Sequence, residues 1–326
     1  MSSQARTTSA APRKNNDEGE TAGVSSPVSL VSSRSRRRSG FAIGRDGAAI
    51  FFEVMGAARP ALTLLLCDGL GCDGYVWKYL QWALGEHFRI IHFHYRGHGR
   101  TPLPADISRI SVTDFAHDAL AVLDACETEC AVVLGHSLGC QVALETYKLA
   151  PARTAALVLL CGSYGNPLRT FKGSDILADI LPIARAAVSR MPRLLGAFWK
   201  SVIPTELSYL LAQRLEINGA LVSREDFFPY LEGMSRMDPR MFVSTLAAAG
   251  QHNAKDLLPD IKAPTLIVAG RRDSFTPMAL SEEMGQLIVD SELHVVEEGT
   301  HTAPIERPAE VAEVVLEFLQ RRVPLP

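Results

Sequence analysis

The sequence predicts an α/β protein built on a largely parallel sheet buried on both faces. Three observations predict it. The strand-sized runs "LTLLLC" (62–67), "CAVVLG" (130–135) and "AALVLLC" (155–161) are apolar throughout, without the alternation of a half-exposed strand. Segments of helical spacing separate them. Glycines follow the runs, where a chain leaving a sheet has to turn.

Taken in order, "GFAI" (40–43) and "AAIFFEV" (48–54) flank Arg45-Asp46-Gly47, a hairpin turn. "LTLLLC" follows as a buried strand, then glycines and a helical segment from Tyr75 to Leu84. "FRIIHFHY" (88–95) is the next strand. "SVTDFAHDALAVLDAC" (111–126) is a helix with Ser111 or Thr113 as N-cap. "CAVVLG" is a strand, "LGCQVALETYKLA" (138–150) a helix and "AALVLLC" a strand. The alternation then stops. Residues 164 to roughly 240 hold helical patches broken by Pro192, Pro204 and Pro229. "PTLIVAG" (264–270), a helix, "ELHVVEEG" (292–299) and a last helix near Pro308 to Arg321 restore the rhythm. A helical insert between two parts of one sheet predicts a lid.

At 326 residues, 47% of them hydrophobic, the chain can bury a sizeable core. Its net charge of −3 gives no global sign of a nucleic acid or an anionic membrane as partner. The longest apolar runs are far too short to span a bilayer. Six scattered cysteines, most in apolar stretches, read as reduced, buried side chains of a cytoplasmic protein. Residues 1 to 39 are rich in Ser, Thr, Ala and Arg and have no aromatic residue, which predicts a disordered tail. Its closing "RSRRRS" lacks the long apolar segment of a twin-arginine export signal.

One motif carries chemistry. Gly135-His136-Ser137-Leu138-Gly139 follows an apolar strand and opens a helix, the setting in which a strained turn exposes a nucleophilic serine. Side chains two residues either side would collide with strand and helix, and glycine relieves the collision. A serine hydroxyl needs a base to take its proton. Asp273 lies three residues after the strand-ending Gly270, and His301 two residues after Gly299, at the next strand's exit. Carboxyl ends of parallel strands share one edge of the sheet, so Ser137, Asp273 and His301 can converge there.

From Gly40 to the last helix the chain resembles an α/β-hydrolase fold protein of the lid-bearing type. The resemblance rests on "GHSLG" (135–139), "YRGHGRT" (95–101), "APTLIVAGRRDSFTP" (263–277) and "EEGTHTAPIERP" (297–308). It implies an eight-stranded, mostly parallel sheet, with a helical lid over residues 164–240 inserted after the sixth strand. The hydrolase core would then comprise residues 40–163 and 241–326. The order Ser137, Asp273, His301 is that of the family's catalytic triad. The resemblance also implies an oxyanion hole of two main-chain N–H groups, one from Leu138 and one from the loop after "LTLLLC". There the sequence departs from many relatives, with Asp68-Gly69-Leu70 where they carry His-Gly. Leu70 follows Gly69 and is the expected second donor. A carboxylate beside a developing oxyanion would be harmful, so Asp68 is expected to point away and to accept hydrogen bonds from neighbouring N–H groups.

Other residues read as structural. His92, His94 and His98 lack the cysteine or acidic ligand that would complete a tetrahedral metal set. His136 reads as a buried or site-lining ring and Cys140 as packing. Phe198, Trp199, Tyr209, Phe227, Phe228 and Tyr230 fit helix-core spacing. The function expected is a cofactor-free serine hydrolase acting on an ester, lactone or thioester of a small apolar acyl group. Carbon–carbon bond hydrolysis, acyl transfer or lyase chemistry on the same triad, and a ligand sensor keeping the fold, are the alternatives.

Overall fold

The structure, a computed structural model, describes residues 37–57, 62–165, 167–170, 175–215 and 217–323. The tail expected over residues 1 to 39 lies outside the described residues as far as residue 36, and Arg38 already opens the first strand. β1 (Arg38–Ile43) and β2 (Ala49–Gly56) form the antiparallel hairpin, closed by the Gly44 N–H donating to the Ala48 carbonyl at 2.8 Å. β3 (Thr63–Cys67), α1 (Lys78–Gly85), β4 (Arg89–Phe93), α2 (Val112–Ala125), β5 (Ala131–His136), α3 (Leu138–Leu149) and β6 (Thr154–Leu160) then alternate. Ser111 caps α2 and shares a reciprocal capping box with Asp114.

Six helices follow among the described residues: α4 (Pro167–Thr170), α5 (Ile176–Arg190), α6 (Pro192–Val202), α7 (Glu206–Leu215), α8 (Arg224–Arg236) and α9 (Pro239–Gln251). The chain returns to the sheet as β7 (Thr265–Gly270), α10 (Met278–Leu287), β8 (Ser291–Val296), α11 (Ala303–Glu306) and α12 (Pro308–Arg322). The eight strands lie in the order β1-β2-β4-β3-β5-β6-β7-β8, parallel from β4 onward.

The uniformly apolar strands are buried on both faces, and alternate residues feed two cores. Leu65, Cys67 and Val133 face α2, α3 and α10. Leu64, Leu66, Val132 and Leu134 face α1 and α12. The "YRGHGRT" segment ties the hairpin to this frame. Buried Arg96 donates to both Asp118 oxygens, at 2.6 and 2.7 Å, and to Asp46 in the hairpin turn at 2.5 Å. Thr101 Oγ1 accepts from the Phe51 N–H and donates to the His94 carbonyl.

Two local expectations are corrected. Pro229, read as a helix breaker, lies inside α8. The Ser223 cap, accepting from the Asp226 N–H, and the buried Phe227 and Leu231 hold that helix despite the missing donor. Phe198 is 62% exposed rather than part of a helix core, whereas Tyr209 and Phe227 are buried against each other.

Backbone proximity governs the glycines of "GHSLG". A Cβ on Gly139 would overlap the Cys67 carbonyl oxygen, and one on Gly135 would overlap the Gly139 carbonyl. Gly196, inside α6, has open space where its Cβ would be. Gly139→Ala is therefore expected to destabilise the fold by about 2 kcal/mol or more. Gly196→Ala should stabilise it by about 0.5–1 kcal/mol. Chemical denaturation of the two variants checks both signs.

Candidate active site

Ser137 sits between β5 and α3 with φ 54° and ψ −118°, a conformation that L residues other than glycine rarely hold. Its N–H donates to the Leu160 carbonyl on β6 at 3.1 Å, and its carbonyl accepts from the Cys140 N–H at 3.0 Å. These bonds hold the strained turn and present the hydroxyl at the carboxyl edge of the sheet.

The structure brings the three predicted side chains together. Ser137 Oγ lies 2.8 Å from His301 Nε2, and His301 Nδ1 lies 2.9 Å from Asp273 Oδ2. The carboxylate can only accept, so Nδ1 carries the proton and Nε2 is left to accept from the serine. Asp273 is saturated with donors: the Phe275 and Thr276 N–H groups reach Oδ1 at 2.8 and 2.9 Å, and the Thr276 hydroxyl reaches Oδ2 at 2.7 Å. Burial works against the Asp273 carboxylate. The His301 imidazole and the Thr276 hydroxyl outweigh it and hold its pKa below the ordinary value.

Two further side chains hold His301, and sequence reasoning missed their roles. Buried His136 donates from Nε2 to the His301 carbonyl at 2.9 Å, and the two rings lie 5.3 Å apart. Burial, then the neighbouring His301, pushes the His136 pKa down to about 4, so the ring is neutral. Glu306, 5% exposed, accepts from the Thr300 N–H and hydroxyl at 2.6 Å and from the Thr302 hydroxyl at 3.2 Å, bracketing His301 on both sides. It also accepts from the Asn218 N–H at 2.7 Å, tying the segment between α7 and α8 to the same loop. The spacing of "THTAPIE" was the available signal, because it sets a carboxylate one helical turn beyond Thr302, next to the histidine.

The loop after β3 lies against Ser137. A Cβ on Gly69 would come within 3.3 Å of Ser137 Cβ and 3.0 Å of His136 Nδ1. Leu70 follows in this loop, and Leu138 is the first residue of α3, where a helix has N–H groups without intrahelical acceptors. On the other side, Gly71 faces Met234 of α8 and Phe242 of α9, and the Phe275 ring lies 5.0 Å from that of His301.

Asp68 is fully buried and turned into the protein. Its oxygens accept from the Trp77 indole at 2.7 Å and from His92 Nε2 at 2.9 Å. The donors come from distant segments, not from the neighbouring backbone. Burial works against both charges of the Asp68–His92 pair, and their attraction outweighs it. Asp68 is held below its ordinary pKa and His92 above its own. His94 Nδ1 accepts from the Arg100 N–H at 2.8 Å, and burial followed by the His92 charge pushes its pKa down to about 3. His98 is bonded to the Arg96 carbonyl at 3.0 Å. The three histidines therefore have separate structural partners.

The sequence pattern of the alpha/beta hydrolase family matches residues 64–314. A protein of Variovorax paradoxus named "Putative carbamate hydrolase RutD" is 29% identical over 279 residues, which is 83% of this chain and 96% of the relative. The 2-hydroxymuconate semialdehyde hydrolase of Pseudomonas sp. strain CF600 is 30% identical over 81% of this chain and 88% of its own. The crystal structure of a hydrolase from Pseudomonas aeruginosa superposes with a TM-score of 0.69 at 25% identity, covering 86% of this chain and 98% of that one.

The buried ion pair under the loop carries a pH signature. His92, its pKa raised above 6.5, contributes stability that is fully present below that value and lost as pH rises through the folded pKa. Asp68, its pKa lowered from 3.8, contributes stability present above that value and lost as pH falls through the folded pKa. The pair is thus fully effective between those two values. His92→Gln is expected to cost more stability at pH 6 than at pH 9, read from denaturant midpoints. Equal costs would mean that His92 is neutral in the fold.

Proposed function

The chain belongs to the alpha/beta hydrolase family, and from that premise we propose that it is a serine hydrolase cleaving an ester, lactone or thioester of a small apolar acyl group. The observation that carries this reading is the run of short contacts from Ser137 Oγ through His301 to Asp273. Ser137 Oγ attacks the carbonyl carbon as its proton passes to His301 Nε2. The carbonyl oxygen becomes an oxyanion, held by the Leu70 and Leu138 N–H groups. Collapse expels the alcohol or thiol, which takes the proton from His301 and leaves an acyl-Ser137. Water, giving its proton to His301, then attacks the acyl carbon, and the acid leaves as Ser137 recovers its hydroxyl.

Asp273 orients the imidazole and stabilises its charged form in both halves of the reaction, while His136 and Glu306 keep the histidine loop in place. A fixed, partly buried acceptor for the imidazole proton avoids solvent reorganisation at the moment of transfer. The preference for an apolar acyl group is supported by Met234 and Phe242 beside Gly71 in the loop after β3, and by the Phe275 ring beside His301. The relative from Variovorax is named for a carbamate, whose carbonyl likewise carries a heteroatom leaving group. In this reading the helices between β6 and β7 act as a lid, with Met234 and Phe242 closing over the loop after β3.

A fluorophosphonate is expected to label Ser137 covalently, detected by mass spectrometry of the active-site peptide. Labelling of Ser137→Ala at the wild-type rate would overturn the assignment.

Asp68 and His301 should separate on substitution. Asp68→Asn keeps an acceptor for Trp77, and kcat should stay within about tenfold, roughly 1.4 kcal/mol. His301→Ala removes the base and should cost about a thousandfold or more. The comparison uses one activated ester and folded protein across the pH range. A loss for Asp68→Asn matching that of His301→Ala would make Asp68 a participant in the chemistry.

A further inference from the structure

α5 and α6 bury almost nothing: among their residues Val188 alone is buried. Their apolar residues nevertheless follow helical stripes. On α5, Ile176, Ile180 and Ile183 recur at i, i+4 and i+7 and are 50–69% exposed. On α6, Leu194 and Phe198, one turn apart, are 64% and 62% exposed. On α7, Leu207, Leu210 and Leu211 are all more than half exposed. A surface helix normally turns such a stripe toward a core. Nine of the seventeen large apolar residues exposed among the described residues fall between Ile176 and Leu211, so the exposure is concentrated rather than scattered.

The charge on the same helices is biased as well. α5 to α7 carry five cations (Arg185, Arg190, Arg193, Lys200 and Arg214) and two acidic residues, Asp179 and Glu206, in a chain whose net charge is −3. Nearby Arg224, Arg236 and Arg240 each pair with a carboxylate, whereas none of these five does so among the described residues. Apolar stripes combined with unpaired cations fit a surface that is both apolar and negatively charged. Arg185 turns toward the 103–108 loop and α9, but Arg190, Arg193, Lys200 and Arg214 are exposed, and a second copy docking face to face would set these four against themselves.

We propose that the outer face of α5–α7 docks on an anionic phospholipid surface. The apolar side chains enter the acyl boundary and the cations meet the headgroup phosphates. The inner side of α6 connects this face to the loop after β3. The Trp199 ring lies tilted against Phe242 at 5.0 Å and donates to the Met234 carbonyl at 2.9 Å, and these two residues face Gly71 in the loop that carries Leu70. A docked lid would thus sit directly over the site, within reach of an apolar ester partitioned into the lipid. Docking itself does not depend on the proposed chemistry, and its test reads binding rather than turnover.

The test is cosedimentation of the full chain with vesicles, either of phosphatidylcholine alone or of phosphatidylcholine mixed with phosphatidylglycerol, alongside size-exclusion chromatography. The expected result is binding to the mixed vesicles that weakens with salt. Leu194→Ser with Phe198→Ser should lower it at least about tenfold, with an unchanged melting temperature. Arg190→Gln, Arg193→Gln and Lys200→Gln together should weaken binding to the mixed vesicles alone. If the α6 pair fails to fold, Ile180→Ser with Ile183→Ser on α5 reads the same face. Absence of vesicle binding overturns the proposal. So does a dimer that dissociates in the Leu194→Ser, Phe198→Ser variant without vesicle binding. Binding that persists in that variant but vanishes when residues 1–36 are removed also overturns it, because the arginines of the tail would then be the lipid contact.

Discussion

The candidate active site depends on the close contact of the first turn of α3 with the end of β3. The helix approaches the Cys67 carbonyl so nearly that position 139 admits no side chain atom, and Gly135 meets the same helix from below. This approach bends the chain sharply enough to drive Ser137 to positive φ. It also fixes the distance between the nucleophile and the loop that begins at Asp68. The active-site edge is therefore set by backbone packing, and the strain at Ser137 is maintained by hydrogen bonds on both its sides.

Asp68 stands at the start of the loop after β3, where on the proposed mechanism a free carboxylate would oppose a developing oxyanion. Its two donors and the opposite charge on His92 turn it instead into an anchor beneath the loop. A buried pair of this kind is weak evidence for net stability, since desolvation opposes the attraction. Its value here is positional: removing one partner would leave the other uncompensated and the loop without its tether. Glu306 does the equivalent for the histidine loop through hydroxyl and N–H donors.

Much of this could be read in the sequence. The central strands β3, β5, β6 and β7 were legible because burial on both faces leaves almost no polar position, so their runs stand out from any helical stripe. Ser137 and Asp273 were legible because each follows such a run closely, and His301 because it follows Gly299 at the exit of the more mixed β8. The supporting side chains were less so. His136, Trp77 and His92 act through contacts that only the fold brings together, whereas Thr276 and Glu306 lie three to six residues from their partners, within reach of the sequence. Pro229 and Phe198 misled for opposite reasons. Packing and a cap overrode the intrinsic cost of a proline, and an aromatic residue at core spacing turned out to face outward.

The neighbours β6 and β7 have a consequence for assembly. Leu160 and Val268 pair in the sheet, yet the stretch from Leu160 to Thr265 takes in six α-helices among the described residues before the strands meet. Closing a loop of roughly a hundred residues carries an entropic penalty that local pairing does not, which delays this junction relative to the hairpin and the β3–β5 region. Asp273 and His301 both lie beyond it. On the proposed mechanism, a partly folded chain therefore exposes the serine turn while Asp273 and His301 are still undocked, and it acquires reactivity only as the last strands join. Activity regained during refolding would then report the final docking event rather than the bulk of the collapse.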